Sequence, residues 1–489
     1  MSESEDRRLL RIAITVIAAL TAIRIAVLVL TPLQLYPDEA QYWWWAQSPD
    51  FGYFSKPPLI AWIIWIATSL FGDGEWAIRL ASPLIHAGTA LMLFATGKRV
   101  GDARLGFWSA LAFATLPGVS YSSGLISTDV PLLFCWAVAL YAFLRALDQA
   151  GWRWPLLCGI ALGYGLLAKY AMLYFVIGAV AAAVVSPRAR GLVFSLRGVA
   201  ILLAGLLLLA PNIAWNWAHG FPTVGHTEAN ADWSHARFSA VSVLGFFAGQ
   251  FGVFGPVLMA GFLVALWRLA RGPARREAEL ILAAFAVPPV VIIAVQAFIS
   301  EANANWAAAA YVSALPLAVA VLLAGARRWG LWMSFAVNGL AMALLWVVLV
   351  SPATGDALGA GNTLKREQGW RELGAAVTNA ARAGHYDAIA TANRSVAAEL
   401  TYYARPRPVP LRMWGRDSHP DDHFQMTMPL TPAATRVLLV LLPGEEQVVL
   451  PGFASATRLE TLAIPIGGHH TRVTTLFDAR GYRGPAPAP

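Results

Sequence analysis

Two carboxylates and a lysine stand close together in the stretch PDEAQYWWWAQSPDFGYFSKPP, residues 37 to 58. A carboxylate there, Asp38 or Glu39, could take the proton of an attacking hydroxyl or hold that hydroxyl in place. The lysine, Lys56, is suited to a phosphate because an ammonium is a mobile point charge with several donors. Pro37 fits the first position of a helix, so Asp38 and Glu39 fall in its first turn, where acids complement the helix dipole. The dipole needs only one acid, and an ionisable group at a membrane face is a functional candidate by default. Asp38, Gln41, Tyr42 and Trp45 share one face by their spacing. Tyr42 and the later Tyr53 join Glu39 as candidate substrate contacts. Pro57 and Pro58 hold Lys56 extended or in a turn and stop any preceding helix. Snorkelling to lipid phosphates is the plain alternative for that lysine.

A second acid occurs in SSGLISTDVPLLF, where Ser127 or Thr128 would cap a new apolar helix and Asp129 would sit in its first turn. Capping could account for Asp129 alone; a catalytic role would need it on the same face as Asp38. Lys169, in GLLAKYAML, interrupts an apolar run, which is costly unless the ammonium is paired or reaches water. Its partner could be a donor phosphate or Asp129 itself. Two acids on one face could hold a divalent metal ion or divide base and orienting roles, and the spacing supports either. Two further segments are polar within apolar surroundings. One contains His219, His226, His235 and Arg237 among tryptophans, and its histidine spacings match no zinc template, which favours a solvated loop. The other, SEANANWAAAAYVSALP, offers Glu301, Asn303 and Asn305 beside Trp306. Amides next to an aromatic can bind sugar hydroxyls or satisfy backbone. Arg237, Glu301, Asn303 and Asn305 are therefore candidate substrate contacts.

The elements that must position these residues are read from composition. Of 489 residues, 57% are hydrophobic and 13% charged, about half the roughly 25% charged share of soluble domains. Lipid is the solvent for such a chain. The net charge of +8 is concentrated in short loops such as KRVGDAR, SPRARG and RLARGPARRE, as the positive-inside rule expects of cytoplasmic loops. This excludes a nucleic-acid partner and implies membrane lipids instead. Cys135 and Cys158 lie in apolar stretches and form no disulfide framework.

Apolar windows near 10–30, 76–97, 104–121, 129–146, 155–168, 171–186, 197–213, 241–267, 279–298, 307–325 and 331–350 predict about eleven transmembrane helices. The pair flanking Lys169 could instead be one broken or re-entrant segment. The first window is read as a retained span, since Arg24 interrupts it and no small-x-small cleavage site follows. With the N-terminus inside, the basic loops alternate onto one side. The acids, amides and aromatics fall on the other, with the C-terminus. Trp43, Trp44 and Trp45 would anchor a short helix along the outer interface. From about Ser351 the pattern changes. TLKREQGWRELGAAVTNAARAG has helical periodicity, and YDAIATA, RVLLVLLP and VTTLFDARGY read as strands. The expected organisation is an α-helical polytopic membrane domain, 1–350, and a small extracytoplasmic α/β domain, 351–489, ending in an unstructured GPAPAP tail.

Together these residues resemble the GT-C membrane glycosyltransferases. The features that carry the resemblance are a first span, DEA on an external interfacial helix, YFSKPP, TDVP, and KY after a Gly-Leu stretch. PNIAWNW and NANWAAAAY resemble segments of bacterial members. The nearest branch contains lipid A aminoarabinose transferase, core galacturonosyltransferases and, more distantly, protein O-mannosyltransferases. The resemblance covers about residues 10–350 and is strongest over 36–60. It implies an enzyme of the bacterial inner membrane that moves a sugar from a polyprenyl phosphate carrier, usually with inversion. The acceptor would be a lipid, a lipopolysaccharide or another cell-envelope acceptor on the periplasmic face. It also implies Asp38 as the catalytic base or acceptor-orienting group, Asp129 as the second catalytic carboxylate and Lys56 on the donor phosphate, where Lys169 could add its charge. Ser55 stands where the aminoarabinose branch typically carries a glutamate, so neither that branch's sugar nor a metal site using the glutamate carries over. A lipid or sugar-carrier flippase is the rival reading. Such proteins place ionisable groups at mid-membrane, whereas here the acids and Lys56 gather towards one face.

Overall fold

The computed structural model describes residues 3–233, 236–272, 276–324, 328–359, 361–417 and 419–484. His235 and most of the GPAPAP tail lie outside the described residues, and so do the expectations placed on them. The chain forms two compact units. The first comprises Met1–Val29, Lys56–Ile63 and Arg79–Trp346; the second comprises Leu30–Ser55, Ile64–Ile78 and Val347–Pro489.

The first unit is helical, and every apolar window of the sequence forms helix. Among the described residues, seven helices are long and apolar enough to cross a membrane: Glu3–Leu30, Glu75–Val100, Asp129–Asp148, Leu196–Ala218, Glu277–Ile299, Ala304–Ala324 and Trp329–Val350. The window at 241–267 is two helices, Ala240–Phe254 and Pro256–Arg271, bent by 111°. Gly255 sits at that bend with φ +86°, a conformation that costs glycine little. The remaining windows form the shorter helices Arg153–Ala168 and Tyr170–Val185, and Ala103–Ala114 followed by Pro117–Ser122. These fall below the roughly 20 residues of a perpendicular span. The protein is a multi-pass membrane protein.

Close helix packing in this unit depends on small residues, because lipid provides no hydrophobic drive between apolar helices. A Cβ on Gly97 would come within 2.7 Å of the Gly106 backbone, and one on Gly159 within 2.5 Å of the Ile201 carbonyl. Phe143, Phe175 and Phe285 pack edge to face and tilted at the centre, with Phe175 and Phe285 centroids 4.6 Å apart. Trp136 adds a 2.9 Å hydrogen bond from its indole to Ser313. Arg24 remains inside the first span because its guanidinium donates to the Ala114 carbonyl, left open at the end of Ala103–Ala114.

The second unit holds a five-stranded sheet. Its strands are β1 (Ala388–Thr391), β2 (Leu411–Met413), β3 (Arg436–Leu441), β4 (Phe453–Pro465) and β5 (Thr471–Tyr482), in the order β2-β1-β3-β5-β4. β1 runs parallel to β2 and β3, while β5 is antiparallel to β3 and β4. Val437, Leu439, Leu441, Phe477 and Ala479 fill the core. Three of these strands answer the apolar stretches of the sequence. β2 has only three residues, and β4 is an edge strand exposed along most of its length, so neither carries a strong apolar signal. The amphipathic helix is Trp370–Gly384, and a further helix, Arg394–Tyr403, follows β1.

The residues before the sheet domain in sequence are built into this unit. Gln34 accepts from the Trp370 amide at 2.5 Å, and the Tyr403 hydroxyl accepts from the Leu35 amide at 2.6 Å. The Asp38 helix, Pro37–Ala46, begins at Pro37 as expected. Its tryptophans, however, do not serve mainly as an outward anchor. The Trp43 indole donates to Asp73 at 2.8 Å and its ring meets Tyr402 edge-on at 5.0 Å. Trp45 is buried and stacked on Tyr53 at 4.6 Å. Aromatic surface that composition assigns to the interface is buried in the unit's own core, where ring pairs add to area burial.

Candidate functional site

In the first unit Asp129 opens the helix Asp129–Asp148, preceded by Thr128, whose side chain makes no capping hydrogen bond. The carboxylate therefore has another use. One oxygen accepts from Lys169 Nζ at 2.8 Å and the other from Asn305 Nδ2 at 2.8 Å. Lys169 reaches it because the chain breaks there. Helix Arg153–Ala168 ends, Lys169 is extended (φ −162°, ψ 133°), and Tyr170–Met172 forms a short 3-10 turn. Of the two partners open to Lys169 in the sequence, the acid is present. The neighbouring Tyr170 donates to Asn212 at 2.7 Å and accepts from Asn216 at 3.3 Å, tying the KY turn to the PNIAWNW segment.

Asn305 lies in the 3-10 turn Ala304–Ala307, which brings the amide-rich segment to Asp129. Asn303, just before that turn, is exposed. Glu301 pairs with Arg237 at 2.6 Å, at an exposed position, so two candidate contacts neutralise each other there. Lys56 is half-buried, next to the paired prolines that precede helix Leu59–Phe71. His219 stacks on Trp215 at 4.2 Å and bonds its carbonyl at 2.8 Å. Among the described residues, no group of three or more His, Cys, Asp or Glu is placed to hold a metal ion.

In the second unit Asp38 is half-exposed and meets a residue that the sequence did not single out. Arg394 Nη1 donates to Asp38 Oδ1 at 3.0 Å and to Gln41 Oε1 at 2.6 Å. Gln41 also donates to Ser55 at 3.4 Å. Asp38 and Gln41 share the helix face that their spacing suggested. Arg394 begins its own helix, where Asn393 Oδ1 accepts from the Ser395 and Val396 amides. The Asn cap could be read from the sequence, but a pairing across 356 positions could not.

Glu39, by contrast, is buried and its Oε2 accepts from the Tyr36 amide at 2.9 Å, satisfying an open donor of the helix start. Tyr42 is buried against Trp45 at 5.3 Å. The Tyr53 hydroxyl donates to the Trp45 carbonyl at 3.1 Å and accepts from the Asp50 amide at 3.0 Å. Burial drives the Tyr53 phenol well above its ordinary pKa, so it remains a neutral donor. His423 meets both Trp45 and Tyr53 edge-on, at 5.4 and 5.7 Å. Burial lowers its pKa to about 4.

Residues 55–215 match the family described as dolichyl-phosphate-mannose-protein mannosyltransferase. The chain is 35% identical over 443 residues to the lipid A galacturonosyltransferase RgtD of Rhizobium johnstonii, covering 89% of this chain and 91% of that one. It is 30% identical over 151 residues, 27% of each chain, to the undecaprenyl phosphate-α-4-amino-4-deoxy-L-arabinose arabinosyl transferase of Pseudomonas aeruginosa. The fold is similar to that of ArnT from Cupriavidus metallidurans bound to undecaprenyl phosphate. The TM-score is 0.65 at 18% identity, over 94% of this chain and 97% of that one.

Proposed function

The chain belongs to the GT-C superfamily as a polyprenyl-phosphate-sugar-dependent glycosyltransferase, and from that premise we propose that it transfers a galacturonosyl residue to lipid A. The observation that carries the sugar and acceptor is the 35% identity to the lipid A galacturonosyltransferase RgtD across nearly all of both chains. Ser55, in place of the glutamate expected before Lys56 in the aminoarabinose branch, agrees with a different sugar.

In this reading the acceptor oxygen attacks the anomeric carbon, the bond from that carbon to the phosphate oxygen breaks, and polyprenyl phosphate leaves. Asp38 takes the acceptor proton if the nucleophile is a hydroxyl; Arg394, itself held by the Gln41 carbonyl oxygen, keeps the carboxylate in position. Lys56 offsets the charge that grows on the leaving phosphate. Lys169 has the same capacity, and its pairing with Asp129 would position it for the donor. Asn305, on the second oxygen of Asp129, fixes that carboxylate. The transmembrane domain, 1–350, would lie in the bacterial inner membrane with the reaction on the periplasmic side. The α/β domain, 351–489, would lie on the same side, where lipid A is presented.

The test is transfer by the purified full chain from polyprenyl-phosphate galacturonic acid to lipid A, read by the mass of the product. Asp38→Asn and Lys56→Ala should each lower kcat by roughly 10²- to 10⁴-fold while expression is kept. Full activity in both variants would sink the residue assignment. Transfer of a neutral sugar but not the uronic acid would sink the sugar.

A further inference from the structure

The second unit contains an open groove of about 1000 Å³ for which the sugar-transfer chemistry above has no use. Its wall comes from the segment YYARPRPVP, residues 402–410, with Glu75 and Arg371 opposite. Three guanidiniums line it. Arg371 pairs with Glu75 at 2.9 Å, and Arg405 faces Asp73 at 3.5 Å. Arg407 has no acid within ion-pair distance among the described residues; its Nη1 donates only to the carbonyls of Leu400 and Thr401.

Each guanidinium lies near an aromatic ring, within cation–π range. Arg405 lies 4.3 Å from the Trp43 centroid and 4.1 Å from that of Tyr402. Arg407 is 5.6 Å from Trp44, and Arg371 is 5.9 Å from Tyr403. Burial, and then the neighbouring Arg405 charge, lower the pKa of Arg407. The Arg405 charge acts on Arg407, and of the two only Arg405 has an acid nearby, Asp73 at 3.5 Å. Like charges so placed repel each other, and the arrangement is relieved by an anion that both can reach.

We propose that this groove binds an anionic saccharide, a sugar chain bearing a phosphate or carboxylate group. Arg405 and Arg407 would hold the anion, and the rings and prolines of 402–410 would hold the sugar faces. Pre-set planar guanidiniums match the two oxygens of such a group, and the volume lies at the upper end of the range for ligand pockets. That the saccharide is the headgroup of the acceptor rests on the function proposed above; the site itself does not.

The experiment measures equilibrium binding to the full chain in detergent, without donor. The probes are a phosphorylated glucosamine disaccharide, the same disaccharide without phosphate, and inorganic phosphate. The phosphorylated disaccharide should bind about 10-fold or more tighter than either of the others. Arg407→Gln keeps an amide donor for the two carbonyls and removes the charge. Pro408→Glu adds a carboxylate at an exposed position on the rim and leaves the packing alone. Each should weaken that binding by about 10-fold. Equal binding of the disaccharide without phosphate, or unchanged binding in both variants, would overturn the site. Equally tight binding of inorganic phosphate would assign it to free phosphate and overturn the saccharide. Loss of transfer in Asp38→Asn with this binding intact separates a failure of the catalytic assignment from a failure of the groove.

Discussion

Asp129 and Lys169 meet at 2.8 Å with 14% and 21% of their side chains exposed, whereas Asp38 and Arg394 meet at 3.0 Å with 42% and 38% exposed. Both are acid–cation pairs, each with a carboxamide as a third member, and they occupy opposite settings. The first stands in an apolar bundle, where an ion left alone has little solvent to turn to. The second stands in a unit with polar surface, where water screens either charge once the other is removed. The bundle pair is thus bound up with the stability of its helices, while the Asp38 pair is free to serve orientation and chemistry at small cost to the fold.

The largest effect that separates the two is on stability. Asp129→Asn or Lys169→Met alone should destabilise the first unit by about 3 kcal/mol, because each strands a partly buried charge. The double variant should recover part of that loss, measured by thermal unfolding in detergent. Equal loss in the single and double variants would show that the pair is not coupled and would break the contrast.

A similar magnitude is expected from pH in the second unit. His423 has an ordinary pKa of 6.5 and takes up its proton only near 4 in the folded chain. Between those values the unfolded chain binds more protons, so stability falls as pH drops from about 6.5 towards 4. The full effect is roughly 3 kcal/mol. His423→Phe should flatten the pH dependence of unfolding in that window; an unchanged slope would refute the assignment.

The smallest stability effect should follow from Arg394→Gln. With both partners well exposed, the fold should lose no more than about 1 kcal/mol. Transfer should nevertheless fall by about 10-fold, because Asp38 loses the group that orients it. A drop in kcat at unchanged melting temperature would sharpen the contrast with Asp129. A melting loss as large as that of Asp129→Asn would erase it.

How much of this was legible in the sequence depends on the range over which the signal acts. The apolar windows, the start of the Pro37–Ala46 helix, the break at Lys169 and three of the strands follow from local pattern and from proline and glycine chemistry. Residues 36–60 and the TDVP and KY motifs were enough to identify the family. The exposed edge strand β4 was not legible because a strand that buries little shows little alternation, and β2 because three residues are too few to show a period. Nor was the burial of Trp43 and Trp45, since composition gives the same tryptophan to a lipid interface or to a core.

The sequence by itself determined that this chain lives in lipid, where its helices run, and which acids and lysines stand out from their apolar surroundings. Their partners follow only from the folded chain: Asn305 on Asp129, Arg394 on Asp38, and the Leu400 and Thr401 carbonyls on Arg407 in the groove of the second unit. Local backbone preference and hydropathy act over a few residues and are written in order along the chain. Charge pairing acts through space, and the residues it joins here are up to 356 positions apart.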